Sequence, residues 1–88
     1  MPGSHDAQFK LELKRLIVHA CNKELAPESI PDNEPLIGAD AALALDSLDV
    51  LQLNVAIQQH YGVRIDDGKH ARRVMASVNA LADFLRPA

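Results

Sequence analysis

A chain of 88 residues has room for one domain with a small core, and its single cysteine, Cys21, excludes an internal disulfide framework. No run of 18 or more apolar residues occurs, which excludes a membrane-spanning helix. The net charge of −3 is divided unevenly: residues 24–63 hold Glu24, Glu28, Asp32, Glu34, Asp40, Asp46 and Asp49 with no Lys or Arg, while the two flanking segments are each net positive. An acidic middle repels nucleic acid and draws in a basic protein surface over roughly 8 Å at physiological salt, although a solvated acidic loop has the same composition. Aromatic residues are limited to Phe9, Tyr61 and Phe84, and Ala and Leu dominate the apolar set, so an all-α bundle is the expected fold class.

The opening MPGSH lacks the charged start and apolar centre of a signal peptide. Residues 1–5 are expected to be a disordered N-terminus or a cloning remnant, residues 6–86 to form the domain, and the chain to be cytoplasmic. From Asp6 to about Leu25, the residues Phe9, Leu13, Leu16, Ile17 and Ala20 recur on one face of a helix, which Pro27 should end because it has no amide hydrogen to donate. Next comes PESIPDNEPLIGADAALAL, rich in proline, read as a long loop pinned by Ile30, Leu36 and Leu43. Loops of this length inside compact domains are usually functional.

A second helix is expected from about Ser47 to His60, stopped by Gly62 as C-terminal cap. Residues 62–70 form a connection with Val63 and Ile65 turned inward. ARRVM suits a short third helix that needs tertiary packing to persist, and Ser77 suits the N-cap of a last helix with Val78, Leu81, Ala82 and Leu85 in one stripe. The expected architecture is a four-helix bundle with a long loop between helices 1 and 2 and a short third helix.

The second helix is apolar on two sides. At about 100° per residue, Val50, Leu53, Ile57 and Tyr61 cluster together, and Leu48, Leu51 and Val55 cluster roughly opposite. So small a bundle can cover one stripe but hardly both. The second stripe, rimmed by Asp49, Gln52 and Gln59, should face solvent as a docking surface unless the long loop folds over it. Ser47 opens this helix between two aspartates. Asp46 as N-cap and Asp49 three residues later resemble a capping box, which would make Ser47 simply the first helical residue. A hydroxyl there can also be reached by an enzyme, and a helix start suits a phosphate ester.

The residues LDSLDVLQL, followed by AIQQHYGVRID and then SVNALADFL, resemble the acyl carrier proteins over about residues 8 to 86. The most specific part is Asp46-Ser47-Leu48 at the start of the second of four helices. The resemblance implies that Ser47 carries 4′-phosphopantetheine, added from coenzyme A by a phosphopantetheinyl transferase whose metal Asp46 helps to position. It also implies that Leu48, Asp49, Leu51, Gln52 and Val55 face ketosynthase and other acyl-processing partners, with no nucleic acid, no membrane insertion and a monomeric state. Gln52, Gln58 and Gln59 stand where fatty-acid carriers usually have glutamates, and Leu45 where they often have glycine. The chain looks closer to carriers of specialised pathways, such as those of aryl polyenes or polyketide-like lipids.

The chemistry implied is carriage and not catalysis. Ser47 has no base beside it, and His60 lies about three and a half turns away along the same helix. A thioester on a flexible arm would hold an acyl group at high effective concentration near each docked enzyme. The acyl chain could fold back between the helices, lined by Leu53, Ile57 and the last helix. A peptidyl or aminoacyl carrier would share the fold and the prosthetic group, but more often has glycine before Asp-Ser and no acid at the Asp49 position. An unmodified helical adaptor would use the same apolar stripe. Cys21 reads as a core or boundary residue at a helix end, and His5, His19, His60 and His70 show no metal-ligand spacing.

Overall fold

Asp6 starts the first helix by accepting the Phe9 backbone N–H at 3.1 Å on Oδ1, a side-chain cap on an amide that the helix cannot satisfy. The structure, a computed structural model, describes residues 2–37, 45–65 and 68–87. Helix α1 (Ala7–Ala20) buries Phe9, Leu13 and Ile17 along one face, as their spacing predicts. It ends earlier than the expected Leu25. Asn22 takes a left-handed φ of 53°, its N–H donates to the His19 carbonyl at 3.4 Å, and the Lys23 N–H reaches the Val18 carbonyl at 3.0 Å. This is a Schellman closure with asparagine in the position glycine usually takes. Pro27 opens a short 3-10 turn, Pro27–Ser29, and does not end the helix.

The loop that follows is tied down in two ways. Ile30 and Leu36 are buried in the core as expected, and Leu45 joins them; Leu43 lies outside the described residues. Leu45 donates its N–H to the Leu36 carbonyl at 3.1 Å, closing an isolated parallel bridge between Ile37 and Leu45. Asp32 supplies the polar tie. Its carboxylate pairs with Lys10 at 3.0 Å and Lys14 at 2.6 Å, and its carbonyl accepts the Asn79 N–H at 2.9 Å. Lys10 also donates to the Asn79 side-chain oxygen at 3.2 Å, so the loop, α1 and the last helix meet at one cluster.

Helix α2 (Ser47–Tyr61) runs one residue beyond the expected His60 and stops at Gly62, whose φ of 71° is left-handed and whose N–H donates to the Gln58 carbonyl at 2.9 Å. Asn54 projects from it to bracket the next segment. Its amide nitrogen donates to the Ile65 carbonyl at 2.7 Å, and its side-chain oxygen accepts the Ile65 N–H at 3.2 Å. Ile65 is thereby held in the core, while Val63 is only half-buried. Helix α3 (Gly68–Val74) begins ahead of the expected ARRVM segment. Ser77 Oγ accepts the Ala80 N–H at 3.0 Å and starts α4 (Val78–Leu85), which buries Val78, Leu81 and Ala82 and leaves Leu85 at the core's edge. The result is the expected all-helical bundle.

Residues 1–5 are expected to be a disordered N-terminus or a cloning remnant, and the structure describes residues 2–5 of them. Gly3–His5 form a 3-10 turn against α4: the Gly3 N–H donates to the Arg86 carbonyl at 2.7 Å, and the Ser4 N–H to Asp83 Oδ1 at 2.9 Å. A side chain at Gly3 would collide with the Ala82 carbonyl and come within 2.9 Å of the Phe9 ring. The missing Cβ is what lets the backbone lie so close. Arg86 closes the same corner, donating to Asp6 Oδ2 at 3.0 Å with its guanidinium 4.8 Å above the Phe9 ring.

The Asp32 cluster makes stability pH-dependent. The Lys14 hydrogen bond and then Lys10 hold the Asp32 carboxyl below its ordinary 3.8, so its contribution is complete above that unfolded value and is lost as pH falls through the lower folded one. Asp32→Asn should cost about 1 kcal/mol at neutral pH, allowing for solvent screening of a partly exposed group. Thermal melts of both proteins at descending pH should show the gap closing in acid, and a gap that persists at about pH 2 would contradict the assignment.

Candidate functional site

Helix α2 opens with a reciprocal cap. Asp46 Oδ1 accepts the Asp49 backbone N–H at 2.9 Å, and Asp49 Oδ2 accepts the Asp46 N–H at 3.2 Å. This is the capping box read from the sequence, and it engages both aspartates with the backbone. Ser47 sits between them, exposed, and its hydroxyl makes no hydrogen bond among the described residues. The helix start therefore does not depend on that hydroxyl, which is left available for chemistry.

Leu48, Leu51 and Val55 are 61%, 59% and 47% exposed, and Gln52 lies exposed beside them. On the other side of α2, Leu53 and Ile57 have no exposed surface. Val50 packs against the core from its margin, and Tyr61 is half-buried with its ring 5.8 Å from that of Phe9. Among the large hydrophobic residues described, only Leu25 is otherwise so exposed. An apolar stripe open to solvent beside an accessible hydroxyl is suited to contact with other proteins.

Asp49 differs from its neighbours on this face. Its side chain is only 16% exposed, because Oδ2 both completes the capping box and pairs with Lys23 at 3.4 Å. Cys21 donates its Sγ–H to the Asp49 carbonyl at 3.6 Å. Burial, and secondarily the Asp49 charge, pushes the Cys21 thiol up to about 11, so it stays protonated at neutral pH and can act as that donor. The close of α1 is thus fastened to the start of α2. Lys23 reaches Asp49 from the turn that Asn22 creates, and the left-handed tolerance of asparagine was the local signal for that turn.

A groove of about 200 Å³ opens beside Ser47, lined by Ile37, Ser47, Val50 and Arg72. A second depression shares Ile37 and Arg72 and continues past Pro35, Met75 and Ala76. Arg72 is exposed and makes no ion pair among the described residues. No local pattern links Arg72 to Ser47, because they lie on different helices and 25 positions apart. A free hydroxyl, an adjoining groove and an arginine on its wall fit an esterified phosphate with a flexible extension.

The family model for the phosphopantetheine attachment site matches residues 12–85. Among curated proteins, none matches the chain. Among the described residues, no helix is long and apolar enough to cross a membrane, and no three or more His, Cys, Asp or Glu side chains gather as a metal site.

The contrast between the two stripes of α2 can be measured. Ile57→Ala opens a cavity at a fully buried position and should destabilise by about 2–4 kcal/mol, whereas Leu51→Ala should cost less than about 1 kcal/mol. Chemical denaturation of the two variants reads the difference directly. Equal losses would show that Leu51 supports the core and does not stand apart from it.

Proposed function

Because the chain belongs to the phosphopantetheine attachment site family, we propose that Ser47 is the attachment residue and that the protein carries acyl intermediates. Members carry covalently attached 4′-phosphopantetheine, and they are carriers and not catalysts. The observation that carries the assignment is the hydroxyl of Ser47, exposed and unbonded between two aspartates that are themselves engaged in capping. When attached, the arm supplies a terminal thiol that holds the cargo as a thioester.

The chain's own residues divide the remaining work. Ser47 presents its oxygen to a phosphopantetheinyl transferase, and Asp46, exposed beside it, helps to position that enzyme's metal. Leu48, Leu51, Gln52 and Val55 form the surface on which the transferase and then ketosynthase and other acyl-processing enzymes dock. Asp49 acts mainly by holding the helix start, since its carboxylate is occupied by Lys23 and the capping box. Gln52, Gln58 and Gln59 are all exposed along α2, leaving that surface with fewer charges than a basic docking patch would select. This supports a carrier for a specialised pathway, similar to those of aryl polyenes or polyketide-like lipids, in preference to primary fatty-acid synthesis.

Incubation with coenzyme A and a broad-specificity transferase should add one phosphopantetheine to the wild type, read by mass spectrometry. Ser47→Ala should abolish the addition and change stability by less than about 1 kcal/mol, because Asp46 supplies the cap. Full modification of that variant would refute the site, and an unmodified wild type would favour a helical adaptor.

Partner choice has its own test. Replacing Gln52, Gln58 and Gln59 with Glu should strengthen binding to a primary fatty-acid ketosynthase by roughly two- to thirtyfold, if two exposed charge pairs form at about 0.2–1 kcal/mol each. The gain should shrink as salt rises. Titrations of both proteins bearing the same acyl group measure it, and equal affinities at low salt would remove the glutamines as determinants of partner choice.

A further inference from the structure

We infer that Arg72 is a positioning residue for the prosthetic arm, its guanidinium pairing with the phosphodiester formed at Ser47. The inference rests on the reading of Ser47 as the attachment residue. Ser47 and Arg72 line the same groove, together with Ile37 and Val50. Any group esterified to the Ser47 oxygen begins in that groove, and a phosphodiester there brings one negative charge at neutral pH and two non-bridging oxygens. Arginine is charged at every accessible pH, and its planar fork can donate two parallel N–H bonds to such a pair of oxygens.

Among the described residues lining this groove, Arg72 is the one that carries a positive charge. Lys23, the cation tied to the start of α2, is paired with Asp49. Lys10 and Lys14 are paired with Asp32, and Arg86 with Asp6. Arg72 has no such carboxylate among the described residues, although it stands on the wall of the groove. The carboxylates flanking Ser47 are turned to backbone amides, so neither competes as an ion-pair partner for Arg72. Arg72 also lines the adjoining depression with Pro35, Ile37, Met75 and Ala76. A phosphate held by Arg72 would start the arm on the α3 side of α2, away from the exposed Leu48, Leu51 and Val55 stripe. The docking face would then remain clear in the loaded protein.

The test uses the full chain carrying the arm with a free thiol and no acyl cargo, so that the phosphodiester is the sole anion added. Wild type, Arg72→Gln, Arg72→Lys and Arg73→Gln are loaded, loading is verified by mass, and phosphorus-31 spectra are recorded at low and high salt. Arg73 is the control, an exposed neighbour on α3 that is not among the residues lining the groove. Arg72→Gln should move the phosphodiester resonance away from its wild-type position at low salt, and the two should converge as salt rises. Arg72→Lys should fall between, and Arg73→Gln should match the wild type. Loading should raise the wild-type melting temperature by about 2–5 °C, and Arg72→Gln should lose most of that rise. Comparing loaded with unloaded forms of each variant cancels any direct effect of the substitution on folding. A phosphorus resonance unaffected by Arg72→Gln, or shifted equally by Arg73→Gln, would overturn the pairing while leaving Ser47 as the attachment residue. Failure of the wild type to gain mass would overturn both.

Discussion

Leu53 and Ile57 have no exposed surface, and their burial sets the orientation of α2. Covering two such side chains is worth about 3–6 kcal/mol, comparable with the entire net stability of a small domain. They share one core with Leu13 and Ile17 of α1 and Val78 and Leu81 of α4. Rotating α2 to cover Leu48 and Leu51 would expose Leu53 and Ile57. With one apolar face already used by the core, the opposite face stays open, and the residue that begins the helix is presented at the edge between them.

The start of α2 illustrates how structural and functional demands are separated among adjacent residues. Asp46 and Asp49 satisfy each other's backbone amides, Lys23 neutralises Asp49, and the protonated Cys21 thiol bonds the Asp49 carbonyl. These contacts fix the first turn without drawing on Ser47. An attachment residue that also capped its helix would give up the cap upon modification, weakening the fold at each loading. Here Asp46 and Asp49 hold the helix, and the hydroxyl proposed for attachment takes no part in the cap.

Folding also rearranges the charge pattern. The chain's acidic middle reads as a continuous field, yet Asp32 is matched by Lys10 and Lys14, and Asp49 by Lys23, all from the basic first segment. The acidic loop is consequently part of the packing, with Asp32 joining α1 and α4 through Asn79. The surface charge available to a partner is smaller than the linear count suggests. The exposed glutamines of α2 extend that low charge along the face proposed for docking.

Local chemistry was sufficient to make much of this protein legible in its sequence. The period of Phe9, Leu13 and Ile17, the paired aspartates around Ser47, the glycine after Tyr61 and the serine before Val78 each act within a few residues, so helix type, several boundaries and the candidate attachment residue can be read directly. The early end of α1 was also local, but depended on the left-handed tolerance of Asn22 and not on the more conspicuous Pro27. What only the tertiary structure decided lies in how distant segments meet: Gly3 against α4, Asp32 against two lysines of α1, Asn54 around Ile65, and Arg72 lining one groove with Ser47. Such pairings leave no period in the chain, because they depend on how whole helices pack, and that packing is set by the summed burial of a core to which every helix contributes.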